Sequence, residues 1–112
     1  MRQRKSLRFS KEYVQAVLSG RKTSTIRVHT KLKKGDEVDI TVNGKVIGAV
    51  KILNVEKKPL KELTDEDARK DGFKDKAALL KALYKHYGKL PRNLPVYIID
   101  FKLLKLKAGK QR

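Results

Sequence analysis

Apolar and polar positions along the first part of the chain predict a strand, a helix and a second strand. Residues 6–9 have the character of a short strand. In residues 11–19 the apolar side chains recur at i, i+3 and i+4, which is the spacing of one helix face, and Ser10 precedes them as a predicted N-cap. Residues 23–28 are rich in β-branched side chains and alternate in polarity, so they predict a strand.

A β-hairpin is the clearest local signal in the middle of the chain. Asn43-Gly44 is a strong hairpin-turn pair, and it joins predicted strands over residues 37–42 and 45–55. Gly48 lies inside the second of these strands, where it predicts a bulge or a barrel corner. Pro59 closes the strand region.

Two helices and a last strand complete the predicted fold. Thr64 caps a short helix that runs to about residue 70, and residues 76–87 form a longer amphipathic helix. Residues 96–101 are apolar on both faces, as in a buried central strand, and the basic stretch 102–112 is predicted to trail off the end, with disorder in its last few residues. Five or six short strands with about three inserted helices predict a small α+β domain around a mixed β-barrel.

Length and composition allow one domain and exclude several classes of function. A chain of 112 residues that is 39% hydrophobic has room for one core, so residues 1–112 are interpreted as a single domain. The absence of cysteine excludes disulfides and thiol catalysis, and two distant histidines disfavour a metal site. No apolar run reaches the length of a membrane span and no signal-peptide pattern is present, so we expect a cytoplasmic protein without membrane association.

The charge of the chain is strongly positive and unevenly distributed. Lys and Arg number 29 against 12 Asp and Glu, giving a net charge of +17. Residues 1–34 hold 11 basic and 1 acidic residue, residues 35–75 hold 8 and 10, and residues 76–112 hold 10 and 1. A fold that brings the two basic ends together would favour a polyanion such as RNA, DNA or an anionic membrane. A lysine-rich thermophile surface is the alternative, although such surfaces usually balance Lys with Glu.

Residues 20–27, with the sequence GRKTSTIR, carry a recognisable motif. A glycine ends the first helix and is followed by Lys, two variable residues, Thr, one residue and Arg, here Gly20, Lys22, Thr25 and Arg27. This pattern resembles the signature of the ASCH domain family, a branch of the PUA-like β-barrels. The resemblance continues in order through residues 34–36, 63–73 and 96–101, and so covers nearly the whole chain.

The resemblance implies a nucleic-acid-binding module, because ASCH domains are generally regarded as RNA-binding. It also implies an enzymatic alternative, since some small bacterial members hydrolyse the acetyl group of N4-acetylcytidine and others have been described as ribonucleases. The proposed hydrolase machinery is a Lys and a Thr of the motif with a Glu from the following helix region. By position these roles fall on Lys22 as base, Thr25 as nucleophile and Asp71 as acid, the last one methylene shorter than Glu.

Strand alternation gives the motif a physical interpretation of its own. If residues 23–28 form a strand, Thr25 and Arg27 share a polar face while Ile26 and Val28 point to the core. Lys22 can curl back over the same cleft, and a hydroxyl between two cations suits a phosphate or a developing oxyanion. An ordinary surface strand is the alternative.

Further basic residues are candidate contacts to nucleic acid. Arg21 joins Lys22 and Arg27 at the motif, and a second group, at i, i+4 spacing on and after the last helix, comprises Lys81, Lys85 and Lys89. Like charges at that spacing destabilise a helix, so the group indicates either phosphate contacts or a solvated face. Asp100, an acid within an apolar strand, is predicted to pair with a buried Lys or Arg or to lie at a bulge.

The sequence is compatible with three functions. The leading hypothesis is binding of RNA, or nucleic acid generally, in a basic cleft around the motif. The second is an amidohydrolase that acts on a modified nucleoside, acetylated cytidine. The third is a protein-interaction module that docks an acidic partner in a transcription or translation complex. No cofactor and no metal are predicted.

Overall fold

The computed structural model describes residues 5–106, which form a mixed five-stranded sheet with the strand order β1-β3-β4-β5-β2. β1 pairs with β3 in parallel, and the other neighbouring strands are antiparallel. The strands are β1 Ser6–Arg8, β2 Ser24–Arg27, β3 Glu37–Val42, β4 Lys45–Pro59 and β5 Pro95–Leu106. The α-helices are α1 Val14–Leu18, α2 Asp65–Lys70 and α3 Lys76–Tyr87. This half-barrel sheet with inserted helices confirms the predicted α+β class.

The predicted hairpin and its irregular glycine are both confirmed. Asn43 and Gly44 have φ angles of 51° and 81°, as a two-residue turn of this type requires. The register between β3 and β4 shifts beside Gly48. A Cβ atom on Gly48 would lie 2.5 Å from the carbonyl oxygen of Lys105 in β5, so the close approach of β5 needs glycine at this position.

The two longest strands extend well beyond their predicted ends. β4 continues to Pro59 and β5 to Leu106, and the two pair along almost their full length. The prediction that the basic stretch trails off after residue 101 is therefore wrong for residues 102–106. These residues pair with the first half of β4, and their lysines point to solvent without interrupting the ladder. Residues 107–112, where we predicted a disordered end, lie outside the described residues.

The first predicted helix is shorter than its sequence pattern. Lys11–Tyr13 form a 3₁₀ turn, and only Val14–Leu18 are α-helical. Ser10 stands at the N-cap position, but its side chain makes no capping hydrogen bond. The apolar stripe still places Val17 in the core.

Two hydrophobic clusters lie on opposite faces of β5, because alternate residues of a strand point to opposite sides. Ile99 and Phe101 belong to one cluster and Val96 and Ile98 to the other, so β5 is the buried central strand that its sequence predicts. The first cluster includes Phe9 of the segment after β1, and the second lies under α2 and α3. No helix in the described part of the chain is long and apolar enough to cross a membrane.

Candidate functional site

Two chain turns bring Lys22 and Asp71 together from positions far apart in sequence. Lys22 follows the turn at Gly20 that ends α1, and its backbone N–H donates to the carbonyl of Ala16 at 2.9 Å. Asp71 is the C-cap residue of α2. The backbone N–H of Thr23 donates to the carbonyl of Lys70 at 2.8 Å, which ties the residue before β2 to the end of α2.

Lys22 and Asp71 form a buried ion pair, in which Lys22 Nζ contacts Asp71 Oδ1. The same Nζ donates to the backbone carbonyl of Asp71 at 3.0 Å, and Asp71 Oδ2 accepts the backbone N–H of Ile26 in β2 at 3.2 Å. Each of the two residues is only 4% exposed. The shorter Asp therefore reaches the lysine in spite of the missing methylene.

The protonation of Lys22 is shifted by its surroundings. Burial, and after it the positive charge of Arg27, lower the pKa of Lys22 to about 7. The Asp71 carboxylate acts in the opposite direction, because an adjacent negative charge favours the protonated amine. An amine whose pKa lies near neutrality can accept a proton, as a general base must.

Thr25 and Arg27 share one face of β2, as alternation predicts. Arg27 Nε donates to Thr25 Oγ1 at 3.2 Å, and its guanidinium also donates to the carbonyl of Arg8 at 2.7 Å. Thr25 is only 3% exposed, so the polar face that it shares with Arg27 is covered at this residue and the alternative of an ordinary surface strand is wrong here. Both faces of β2 are covered, because Phe9 packs over one and Ile26 contributes to the core on the other. Val28, which we predicted in the core, is half-buried beyond the strand end.

Phe9, an aromatic residue outside the motif, contacts both cations. The ring of Phe9 has Lys22 Nζ 5.6 Å from its centroid and Arg27 Cζ at 5.3 Å, and Tyr13 has Lys22 Nζ at 5.8 Å. A cation within about 6 Å of a ring centroid is attracted by the ring's quadrupole. Phe9 was recognisable in sequence only as an apolar position, since a contact across the fold leaves no local signal.

The three residues of the predicted hydrolase site lie in one region without forming a complete catalytic relay. Lys22 bonds to Asp71, whereas the hydroxyl of Thr25 bonds to Arg27. Within residues 5–106 no hydrogen bond joins the predicted base to the predicted nucleophile. Two clefts open nearby, one beside Lys22 and one beside Arg27, and neither Thr25 nor Asp71 lines them.

A cleft of about 500 Å³, called the first cleft below, opens beside Lys22. Its charged lining residues are Lys22, Lys70, Lys102 and Asp100. Leu53, Phe101 and Leu103 form an apolar wall. The first cleft therefore combines an apolar surface with an excess of positive charge.

A cleft of about 650 Å³, called the second cleft, opens beside Arg27. Basic side chains of Lys5, Arg27 and Lys31 line it, together with His29 and Tyr97. Lys5 is held by Asp36, at 3.2 Å between Nζ and Oδ2, whereas Lys31 has no ion pair with any described residue.

The remaining predicted contact residues are not among those that line the two clefts. Arg21, Lys81, Lys85 and Lys89 are exposed and line neither cleft. In the part of the chain that the structure describes, no three His, Asp or Glu side chains gather in a way that could hold a metal ion.

Comparison with known proteins identifies the family. Solved structures with the same fold include protein EF3133 from Enterococcus faecalis V583, with 17% identity, a TM-score of 0.71 and coverage of 100% of this chain and 87% of that one. An ASCH domain from Lactobacillus crispatus JV V101 has 17% identity and a TM-score of 0.76, covering 88% and 78%. ASCH from Zymomonas mobilis has 15% identity and a TM-score of 0.67, covering 90% and 70%. No curated protein gives a significant match. Because the family model for the ASCH domain matches residues 3–105, the chain belongs to the ASCH domain family.

Proposed function

We propose that the protein binds RNA through the first and second clefts. The observation that carries the proposal is the lining of these clefts, which includes six Lys and Arg residues and a single acid, Asp100. The family supports the class of partner, because ASCH domains are generally associated with nucleic acids. A concave surface with one sign of charge concentrates the opposite charge, here the phosphates of a nucleic acid.

The availability of these cations strengthens the proposal. Lys31, Lys70 and Lys102 make no ion pair with any residue between 5 and 106. A lysine without a protein counter-ion can pair with a phosphate, and the release of the counterions that had condensed on the nucleic acid favours binding. Lys22 and Lys5 already have carboxylate partners and are expected to contribute less.

Salt dependence is the first test of RNA binding. Engagement of about 4–6 phosphates of a single strand gives a log–log slope of the association constant against salt near −3 to −4, at about −0.7 per phosphate. Fluorescence anisotropy of a labelled single-stranded RNA over a salt series measures the slope. Binding that does not change with salt would contradict the proposal and favour the protein-interaction hypothesis.

Paired variants test whether the clefts carry the binding. Lys31→Ala with Lys102→Ala removes one free lysine from each cleft and should make the slope shallower by about 1.4. Lys34→Ala with Lys45→Ala removes the same charge from two exposed positions outside the clefts and serves as the control. Equal effects of the two pairs would show that only net charge matters.

The lysines of α3 require a separate experiment. Lys81→Glu with Lys85→Glu reverses two charges on the exposed face of this helix. If α3 contacts the phosphate backbone, the affinity falls by the same factor for all RNA sequences. An unchanged affinity would confine binding to the clefts.

The buried Lys22–Asp71 pair next to Thr25 favours a second candidate, the amidohydrolase. In that reaction Thr25 Oγ attacks the acetyl carbonyl of N4-acetylcytidine while Lys22 takes the hydroxyl proton and returns it to the departing N4 amine; water then hydrolyses the acetyl-enzyme to acetate. This requires Lys22 and Thr25 to come within hydrogen-bond distance when substrate binds.

Acetate release tests the hydrolase. Wild type should release acetate from N4-acetylcytidine, Lys22→Ala and Thr25→Ala should abolish the release, and Thr25→Ser should retain part of it because the nucleophilic hydroxyl remains. Release that survives Thr25→Ala would exclude Thr25 as the nucleophile. No release by wild type would leave RNA binding as the function.

A further inference from the structure

The first cleft contains one group that phosphate binding does not need, the carboxylate of Asp100. We propose that Asp100 reads a guanine base of the bound RNA, accepting the N1–H and N2–H hydrogens on its two oxygens while Lys70 and Lys102 hold the flanking phosphates. The inference rests on the proposed RNA binding and adds the base that the first cleft selects.

The Asp100 carboxylate makes no side-chain hydrogen bond or ion pair with any residue from 5 to 106. In the sheet it lies opposite Ser24 of β2 and Asn54 of β4, next to the irregularity of β4 around Leu53. The bulge that we predicted as one explanation for this acid is therefore present, but the alternative of a Lys or Arg ion pair is not realised among the described residues. The hydroxyl of Ser24, on the same side of the sheet, is fully buried and also has no hydrogen-bond partner in residues 5–106.

The electrostatic surroundings of Asp100 favour a hydrogen-bond donor over an anion as its ligand. Asp100 is the only acid in residues 76–112. Burial raises the pKa of Asp100, with Glu56 and Asp67 adding to the shift and Lys70 opposing it. A ligand that donates hydrogen bonds stabilises the carboxylate, whereas a phosphate would be repelled by it.

Base chemistry identifies guanine as the matching ligand. A carboxylate accepts two parallel hydrogen bonds, and guanine presents two adjacent donors, N1–H and N2–H, on its Watson–Crick edge. Adenine and cytosine place a ring acceptor beside their amino group, and uracil has a single N3–H between two carbonyls. In each of these bases a lone pair would face a carboxylate oxygen.

The rest of the first cleft suits a nucleotide. Leu53, at the irregularity of β4 beside Asp100, provides an apolar surface for the face of a base, and the volume of about 500 Å³ lies within the range of small-ligand pockets. Lys70 and Lys102 are exposed and free to reach phosphates on either side.

Nucleotide and RNA titrations test the inference. Wild type should bind GMP about 5- to 100-fold more tightly than AMP, CMP or UMP, the discrimination typical of one bidentate contact to a base. Asp100→Asn is nearly isosteric and should lose this preference. Its affinity for RNA without guanine should be equal to or higher than that of wild type, since a negative charge leaves a basic cleft.

A matched control and thermal melting keep the result interpretable. Glu37→Gln removes the same charge from an exposed position of β3 and should keep the guanine preference. Melting temperatures of the variants show whether each is folded. Absence of a base preference in wild type, or its persistence in folded Asp100→Asn, would overturn the inference.

The two proposals fail in different ways. Salt-dependent binding of RNA with equal affinity for all bases would overturn the guanine site and leave RNA binding intact. A GMP preference that depends on Asp100 without any binding of oligonucleotides would retain the site and overturn RNA binding.

Discussion

At the scale of single residues, the Lys22–Asp71 pair joins the start of the motif strand to the end of α2. Burying two charges carries a desolvation cost that their attraction offsets only when the remaining hydrogen bonds are made. Here Asp71 Oδ2 receives the N–H of Ile26 and Lys22 Nζ also reaches the Asp71 carbonyl. Loss of one partner from such a pair costs about 3–5 kcal/mol, so the pair is best tested by neutralising both members.

The stability of the protein should rise with pH above neutrality because of Lys22. Its folded pKa of about 7 lies below the unfolded value of about 10.4, so between these values the unfolded chain binds more protons and the free energy of unfolding increases with pH. The increase is at most about 1.4 kcal/mol per pH unit. Urea denaturation of wild type and of the double variant Lys22→Met with Asp71→Asn measures this increase, with the double variant as the reference. A difference in the free energy of unfolding that stays constant from pH 7 to pH 10 would refute the prediction.

Two neighbouring hydroxyls in β2 should respond to removal with opposite signs. Ser24 Oγ is buried and has no hydrogen-bond partner among residues 5–106, so Ser24→Ala should raise the free energy of unfolding by about 1 kcal/mol. Thr25 Oγ1 accepts from the Arg27 guanidinium, so Thr25→Val should lower it by about 1.5–3 kcal/mol, the range for hydrogen bonds to charged groups. Chemical denaturation of both variants measures the change in the free energy of unfolding. Changes of the same sign would contradict the assignment of hydrogen-bond partners.

The sequence predicts which residues form the site and which face of β2 they share, but not how deeply they are buried. Alternation alone places Thr25 and Arg27 together and Ile26 on the other side, because the period of a strand is fixed. Whether that face is covered depends on Phe9, which is 16 residues away in sequence from Thr25. No local pattern of the motif carries such a contact.

At the scale of elements, α2 positions Asp71 at its C-terminal end. Thr64 and Asp67 form a capping box at its start, with Asp67 N–H donating to Thr64 Oγ1 at 3.1 Å and Thr64 N–H to Asp67 Oδ2 at 3.0 Å. Gly72, with a φ of 90°, turns the chain immediately after Asp71. The cap and the turn fix both ends of this six-residue helix.

Removal of the cap should destabilise the protein measurably. Thr64→Ala leaves the N–H of Asp67 without its acceptor and should cost about 1 kcal/mol, within the usual range for an N-cap. Thr64→Ser keeps the hydroxyl oxygen and should restore most of the loss. Thermal or urea unfolding of the two variants makes the comparison, and equal stability of Thr64→Ala and wild type would show that the cap contributes nothing.

The ends of some helices and strands have a clear sequence signal and those of others have none. The cap at Thr64 and the turn at Asn43-Gly44 are local signals, and both predictions are confirmed. The extension of β5 through residues 102–106 is not predicted, because lysines among leucines are typical of a solvated tail. Those residues are strand because the first half of β4 offers them backbone partners, and pairing at this distance in sequence has no compositional signature.

At the scale of the whole molecule, the net charge of +17 opposes the compact state. The described residues contain four ion pairs, two of them with a partner that is largely exposed, so attraction between charges offsets little of the repulsion. Lys51 and Lys102 even lie directly opposite each other in neighbouring strands. Positive charge that costs stability is consistent with the proposed contact to a polyanion.

Salt should therefore stabilise the fold while it weakens RNA binding. The molecule measures 46 × 30 × 22 Å, and raising the ionic strength from about 0.01 M to about 0.15 M shortens the Debye length from about 30 Å to about 8 Å, so that repulsion across the molecule is screened. A gain of about 1 kcal/mol corresponds to a rise of about 4–8 °C in melting temperature for a domain of this size. Differential scanning calorimetry in sodium chloride measures the rise, and Lys33→Gln, Lys34→Gln and Lys45→Gln combined should reduce it, because these exposed lysines contribute to the repulsion without lining either cleft. A melting temperature that falls with salt would mean that the four ion pairs outweigh the net charge.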